Sequence, residues 1–263
     1  MVRLAQITDT HVLDPARDDV AFVDNNARLA EAVAGLNAEH PRPEVVLATG
    51  DMTNDGHPGE LDQLTDLLAP LEIPLLILPG NHDHRPSFRA RFAMDWAADD
   101  HLSWVAPVGD LTVIGLDATV DDGNHGDYTD GHDAWLSRTL AAIGDAPCAI
   151  ALHHPPYVSG IAFMDRSTLR NGDRFLATVA RHPNVLRVVC GHLHRPTVVS
   201  MAGVTVSSCL STVQSPALML GPEDPVALIR DPAGYHLHHV DTDRGLWLTH
   251  TRYIATGEQP IFP

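Results

Sequence analysis

The sequence predicts an α/β layered fold, a sheet flanked by helices, and three observations carry that prediction. Apolar, β-branched runs recur along the chain and stop at Gly, Pro or Asp. Between them lie stretches whose apolar residues repeat at helical spacing. With 263 residues, 44% of them hydrophobic, the chain can bury a full core. Alternation of the two kinds of element places helices over the faces of a largely parallel sheet.

In chain order the strands are "VRLAQITDTH" and "EVVLATGD", then "PLLILPGNHD", "LTVIGLDA", "CAIALHHPP", "VLRVVCGH" and "VTVSSCLST". A first helix is set by Leu29, Val33 and Leu36 after Asn25 and Asn26. A second is set by Leu61, Leu64 and Leu68 before Pro70. Trp135, Thr139 or Leu140, and Ile143 give a third, and Leu169, Leu176 and Val179 a fourth. From Gly234 the pattern changes to strict alternation around Asp243-Arg244-Gly245, which reads as an antiparallel hairpin. The chain therefore divides into a main domain, 1–233, and a hairpin extension, 234–263. Leu246, Trp247 and Leu248 would give that hairpin an apolar edge, and a homodimer through it is expected.

Charge narrows the function. All 17 basic residues are Arg, against 34 acidic ones, a net charge of −17. Such a surface repels nucleic-acid polymers and acidic membranes, while a small anion can bind where metal ions supply a positive field. No apolar run approaches the roughly 18 residues of a membrane span, and the start lacks the basic-then-apolar pattern of a secretory signal. A cytoplasmic protein is expected. Cys148, Cys190 and Cys209 lie in apolar runs with no CxxC pair, so they read as buried hydrophobes.

The polar residues recur at one kind of place, the carboxyl ends of strands, where open α/β sheets bind ligands. Asp9 and His11 follow the first strand, Asp51 the second, and Asn81 and His82 the third. His153 and His154, then His192 and His194, follow later ones. Two metal ions ~3.5 to 4 Å apart need a bridging carboxylate and several N or O donors. Asp51 is the natural bridge. One ion could take Asp9, His11 and His194, and the other Asn81, His153 and His192. An O and N set without thiolate suits Mn, Fe, Zn or Co.

Asp-x-His at 9 and 11, Gly-Asp at 50 and 51, Gly-Asn-His-Asp at 80 to 83, His153, and Gly-His-x-His at 191 to 194 together resemble the calcineurin-like metallophosphoesterase superfamily. "GNHDHR", "HHPPYVSGIAFMD" and "GHLHRP" bring the resemblance closest to its compact bacterial phosphodiesterases, the class III cyclic-nucleotide and glycerophosphodiester group. The resemblance implies a β-sandwich of two mixed sheets flanked by helices, with 1–233 as the catalytic domain. It also implies two divalent or trivalent transition-metal ions and hydrolysis of a small phosphodiester by a metal-bridging hydroxide. Carried over, one ion takes Asp9, His11, Asp51 and His194, and the other Asp51, Asn81, His153 and His192. His82 then contacts the phosphate and stabilises the transition state or protonates the leaving alkoxide, and Asp83 orients its imidazole.

Asn81, His82, His194, Arg195 and His125 are the candidate substrate contacts, and Arg195 also suits an ion pair. His154 is expected to support the site rather than bind metal, although the order of His153 and His154 can be read either way. His236, His238 and His239 read as surface residues. Met164-Asp165 falls in a loop over the site, where it contacts the leaving group or packs. Gly80 would let the strand turn sharply. Alternative activities are a phosphomonoesterase, a nuclease, a nucleotide pyrophosphatase or a non-catalytic metal-binding scaffold.

Overall fold

The computed structural model describes residues 1–17, 23–97 and 101–254. Along the chain, β1 (Val2–Ile7), α1 (Asn25–Ala38), β2 (Val45–Thr49), α2 (Pro58–Leu68) and β3 (Leu75–Leu78) come first. Next come α3 (Arg85–Arg91), β4 (Trp104–Val108), β5 (Leu111–Leu116), β6 (Gly126–Asp127) and α4 (Asp130–Ile143). Then follow β7 (Cys148–Leu152), β8 (Leu169–Arg170), α5 (Gly172–Val179) and β9 (Val185–Cys190). The last elements are β10 (Thr197–Met201), β11 (Val204–Ser208), β12 (Ser215–Pro216), β13 (Leu228–Ile229), β14 (Gly234–Asp241) and β15 (Leu246–Tyr253).

Each predicted strand and helix has its counterpart: β1, β2, β3, β5, β7, β9 and β11, and α1, α2, α4 and α5. Local chemistry sets the helix starts. Asp24 caps α1 by accepting from the Ala27 N–H at 2.9 Å, and Glu60 reaches back to the His57 N–H at 3.1 Å ahead of α2. Leu169, assigned from sequence to the fourth helix, instead pairs with Gly126 in β8, because Asn171 at φ 59° breaks the chain before α5 begins. The edge strands β4 and β10 and the helix α3 carry no clear sequence periodicity and were not anticipated.

Two mixed sheets stack face to face. The first runs β15-β14-β1-β2-β3 and the second β10-β11-β9-β7-β5-β4; β1-β2-β3 and β11-β9-β7-β5 run parallel, and β14, β15, β4 and β10 join them antiparallel. Val2, Leu4, Val45 and Leu47 meet Val113, Ala149, Ala151 and Val189 between the sheets. α1, α2 and α3 cover the outer face of the first sheet, and α4 and α5 that of the second. The parallel strands β1, β2, β3, β7 and β9 then bring their carboxyl ends to one rim.

The tail hairpin joins the first sheet, with β14 antiparallel to β1 from Val2↔Val240 to Gln6↔His236. This corrects two expectations. His236 and His238 are 3% and 0% exposed, because alternate residues of β14 face the second sheet; of the three tail histidines only His239 is partly exposed. Trp247 likewise points inward at 8% exposure, leaving Leu246 and Leu248 outward. Residues 255–263 of the proposed extension lie outside the described residues. Among the described residues, no helix is long and apolar enough to cross a membrane.

Candidate metal centre

Strand ends turn sharply to form the site. Asp9, His11, Asp51, His192 and His194 all adopt φ between 42° and 67°, a region that non-glycine residues rarely occupy. Such backbone persists only where its surroundings fix it. Here the Asp9 N–H donates to the Gly50 carbonyl at 2.9 Å and the His11 N–H to the Asp51 carbonyl at 3.0 Å. Across the rim, the His192 N–H donates to both carboxylate oxygens of Asp9, at 3.1 and 3.0 Å. Thus β1, β2 and β9 are tied together at the residues that carry the donors.

Asp51 occupies the centre. Its Oδ2 lies 3.8 Å from His11 Nε2 and 3.3 Å from His153 Nε2, so one carboxylate stands between two groups of donors. On one side, His11 Nε2 and His194 Nε2 face each other at 3.1 Å, and His194 Nε2 is 3.5 Å from Asp9 Oδ1. On the other, His153 and His192 rings lie 5.2 Å apart, with Asn81 at the end of β3.

These residues fit a pair of cations. The His194 Nδ1–H donates to the Gln214 carbonyl at 2.7 Å and the His153 Nδ1–H to the Thr49 carbonyl at 2.8 Å, which leaves both Nε2 lone pairs turned to the site. His153 Nε2 and Asn81 Oδ1 are buried acceptors without a hydrogen-bond partner. A lone pair against a carboxylate at 3.3 Å and an orphaned amide oxygen are a repulsive set until positive charge sits among them.

Protonation follows the same pattern. Burial alone would lower the His153 pKa, yet the Asp51 carboxylate lifts it to about 9, so in the metal-free chain a proton on Nε2 supplies the positive charge whose place a cation would take. Burial opposes ionisation of Asp51, and the surrounding imidazoles nonetheless hold its pKa well below the usual range. Burial also depresses His11 and His192, keeping them neutral. For His82 burial is outweighed by Asp51 and the Asn54 carbonyl, so its pKa is raised. A cleft of about 480 Å³ opens beside this corner, lined by Asn81, His82, Arg85, Thr119, Asp121 and Asp122.

The calcineurin-like phosphoesterase profile matches residues 2–196. The chain belongs to the calcineurin-like phosphoesterase family. Among curated proteins, this phosphoesterase is 35% identical over 214 residues to a glycerophosphodiester phosphodiesterase of Enterobacter lignolyticus, covering 80% of this chain and 77% of that protein. It is 30% identical over 216 residues to a 3',5'-cyclic adenosine monophosphate phosphodiesterase of Vibrio vulnificus, covering 80% and 76%. A dimetal phosphatase from Danio rerio shares its fold, with a TM-score of 0.70 at 15% identity over 96% of each chain.

Several residues of the phosphoesterase sit differently from expectation. Asp83 does not orient His82. Its carboxylate accepts from the Met52, Thr53 and Gly80 N–H groups at 3.1, 2.9 and 2.9 Å, so it anchors the corner, and burial lifts its pKa to about 6. The His82 Nδ1–H instead donates to the Asn54 carbonyl at 2.5 Å. Arg195 is engaged away from the donors, with the Asp231 carboxylate and the Pro216 carbonyl both at 2.8 Å. Gly80 has no left-handed backbone; its need is space, since a Cβ there would lie 2.1 Å from Asp51 Oδ1. Met164 packs in the core, and Asp165 accepts from Ser159 and Gly160 within its own loop.

His154 is buried against His153 and His192, with ring centroids at 4.8 and 4.6 Å, and its Nε2–H donates to the Asn124 carbonyl at 3.1 Å. Its cluster with the two other imidazoles makes it a geometric candidate for a third donor as well as a support. His125 is half-buried in the loop between β5 and β6. Sequence reasoning missed the holders of the site: Asn25, which donates to the His11 carbonyl at 2.7 Å, Ser211, which donates to the Asp9 carbonyl at 2.8 Å, and Ser167, whose hydroxyl lies 3.0 Å from His192 Nε2. For Ser211 the hydroxyl-rich run from Ser207 to Ser215 was the available signal.

Proposed function

We propose that this chain is a dinuclear metal-dependent phosphodiesterase acting on small phosphodiesters, cyclic nucleotides or glycerophosphodiesters. The observation that carries the reading is Asp51 Oδ2 between His11 and His153, with the orphaned Asn81 Oδ1 beside it. Asp9, His11, Asp51 and His194 would hold one ion, and Asp51, Asn81, His153 and His192 the other. Mn, Fe, Zn or Co suits this set of carboxylate, amide and imidazole donors. When bound, such a pair activates a water and polarises a phosphoryl oxygen.

The chain supplies the rest. Asp51 fixes the spacing of the two donor groups. His82, its Nδ1–H committed to Asn54, has Nε2 free to donate to the leaving oxygen. Asn81 and His194 would flank the phosphate, with His125 at the outer edge. On the cleft wall Asp121 is paired with Arg85 at 3.1 Å, and the Asp122 carboxylate beside it disfavours a dianionic monoester relative to a monoanionic diester. The names of the relatives agree with a diester substrate.

Hydrolysis of bis(p-nitrophenyl) phosphate with added Mn²⁺, lost in Asp51→Ala, tests the reading; wild type that stays inactive with two ions bound overturns it. The physiological class follows from comparing cyclic AMP, 2',3'-cyclic nucleotides, glycerophosphodiesters and a monoester on one metal-reconstituted sample. The proposal includes a cytoplasmic enzyme, with 1–233 as its catalytic part, that forms a homodimer through Leu246 and Leu248 of β15. A monomeric mass in light scattering removes the dimer.

A further inference from the structure

The layer between the sheets is apolar at one end and polar at the end beneath the metal centre. Val2, Leu4 and Val240 fill the first; Gln6, Thr49, His236 and His238 fill the second, each at most 3% exposed. Buried polar groups in such a place are stable only with a complete hydrogen-bond pattern.

From Trp247 to Cys190 that pattern is determined at every step, with His236 Nδ1 outside it and unpartnered. Indole Nε1–H can only donate, and that of Trp247 is aimed at His238 Nδ1 at 3.1 Å, so Nδ1 is an acceptor. Thr249 Oγ1 lies 2.9 Å from the same nitrogen. The proton of His238 is therefore on Nε2, which donates to Gln6 Oε1 at 3.2 Å. With its oxygen so engaged, the Gln6 amide nitrogen donates to Thr49 Oγ1 and to the Cys190 carbonyl, both at 3.0 Å. A carbonyl accepts only, so the far end of the chain fixes the same amide orientation as the near end.

Its three endpoints are the strands that carry the donors. Gln6 in β1 precedes Asp9, Thr49 in β2 precedes Asp51, and Cys190 in β9, on the opposite sheet, precedes His192. The carbonyl of Thr49 also receives the Nδ1–H of His153. We infer that Gln6, held by His238 and Trp247 of the tail hairpin, is a positioning residue that sets the spacing between the two halves of the metal centre. The hairpin thereby contributes to the site without reaching it. The inference rests on the ligand assignment proposed above.

The test is Co²⁺ titration of the metal-free full chain, read by calorimetry and by the visible spectrum of the bound ions, with thermal unfolding followed in parallel. Gln6→Met and His238→Phe should each weaken Co²⁺ binding by roughly 10- to 100-fold, the range seen when outer partners of ligands are removed, and alter the spectrum. His238→Gln, which retains a donor toward Gln6, should recover most of the affinity. Trp247→Phe removes one peripheral N–H and should cost about fivefold, the worth of one hydrogen bond, so the inference stays testable if the inner variants do not fold. Val240→Ala in the same layer should lower the unfolding temperature and leave the affinity unchanged. Wild-type affinity and spectrum in Gln6→Met, His238→Phe and Trp247→Phe overturn the inference alone, as does an equal loss in Val240→Ala. A wild-type chain that takes up no Co²⁺ overturns it together with the dinuclear reading.

Discussion

The carboxylate of Asp83 accepts from both the backbone N–H and the hydroxyl of Thr53, at 2.9 and 2.7 Å. Together with its bonds from Met52 and Gly80, this joins the turn after β2 to the turn after β3. Asp83→Ala leaves several buried donors unpaired and should lower unfolding free energy by on the order of 3 kcal/mol. Chemical denaturation of the metal-free chain measures it, and an unchanged midpoint would remove the anchoring role.

His82 is expected to matter in proportion to how poor the leaving group is. An alkoxide needs the proton that His82 holds, whereas p-nitrophenolate departs without one. His82→Ala should therefore slow an alkyl diester by about 10² to 10⁴-fold and bis(p-nitrophenyl) phosphate much less. Equal losses on both substrates argue for binding rather than proton donation.

Gly80 and Gly191 stand where backbone meets donor. An added Cβ would lie 2.1 Å from Asp51 Oδ1 at Gly80 and 2.1 Å from Thr8 Oγ1 at Gly191. Gly80→Ala and Gly191→Ala should both lose metal uptake, since the atoms that must give way are held by the site itself. Stoichiometric metal content by mass spectrometry in either variant contradicts this.

Burial pushes the His236 pKa from the ordinary 6.5 to about 4. Between those values the unfolded chain binds a proton that the folded chain refuses, so the stability is present above pH 6.5 and lost as pH falls toward 4. One such group amounts to roughly 3 kcal/mol at the acid end. Urea unfolding of wild type should weaken more steeply over that range than that of His236→Leu. Parallel slopes would refute the assignment.

The inner strands were legible because each is a short apolar run with an abrupt polar end, and the donors were legible because those ends are where they stand. β4 and β10 were not, since edge strands such as Val105 and Val198 face solvent and break the alternation. The burial of His236 and His238 was hidden for a different reason. Imidazole reads as polar in any pattern, and only the register of β14 on β1 turns it inward. Asp83 looked like a partner of His82 because they are adjacent, yet side chains of neighbours in a turn diverge, and its bonds run back to residues 52 and 53.

The left-handed backbone at Asp9, His11, Asp51, His192 and His194 has one more implication. Each such residue costs on the order of 1 kcal/mol or more relative to a relaxed conformation. Glycine would relieve that at all five positions while abolishing the donors. At Asp9 and Asp51 that relief is offset by loss of the carboxylates that accept the His192 and His82 N–H groups, so the gain in stability is open chiefly at the three histidines, and their persistence in any lineage is a sign that selection is acting on chemistry rather than on folding.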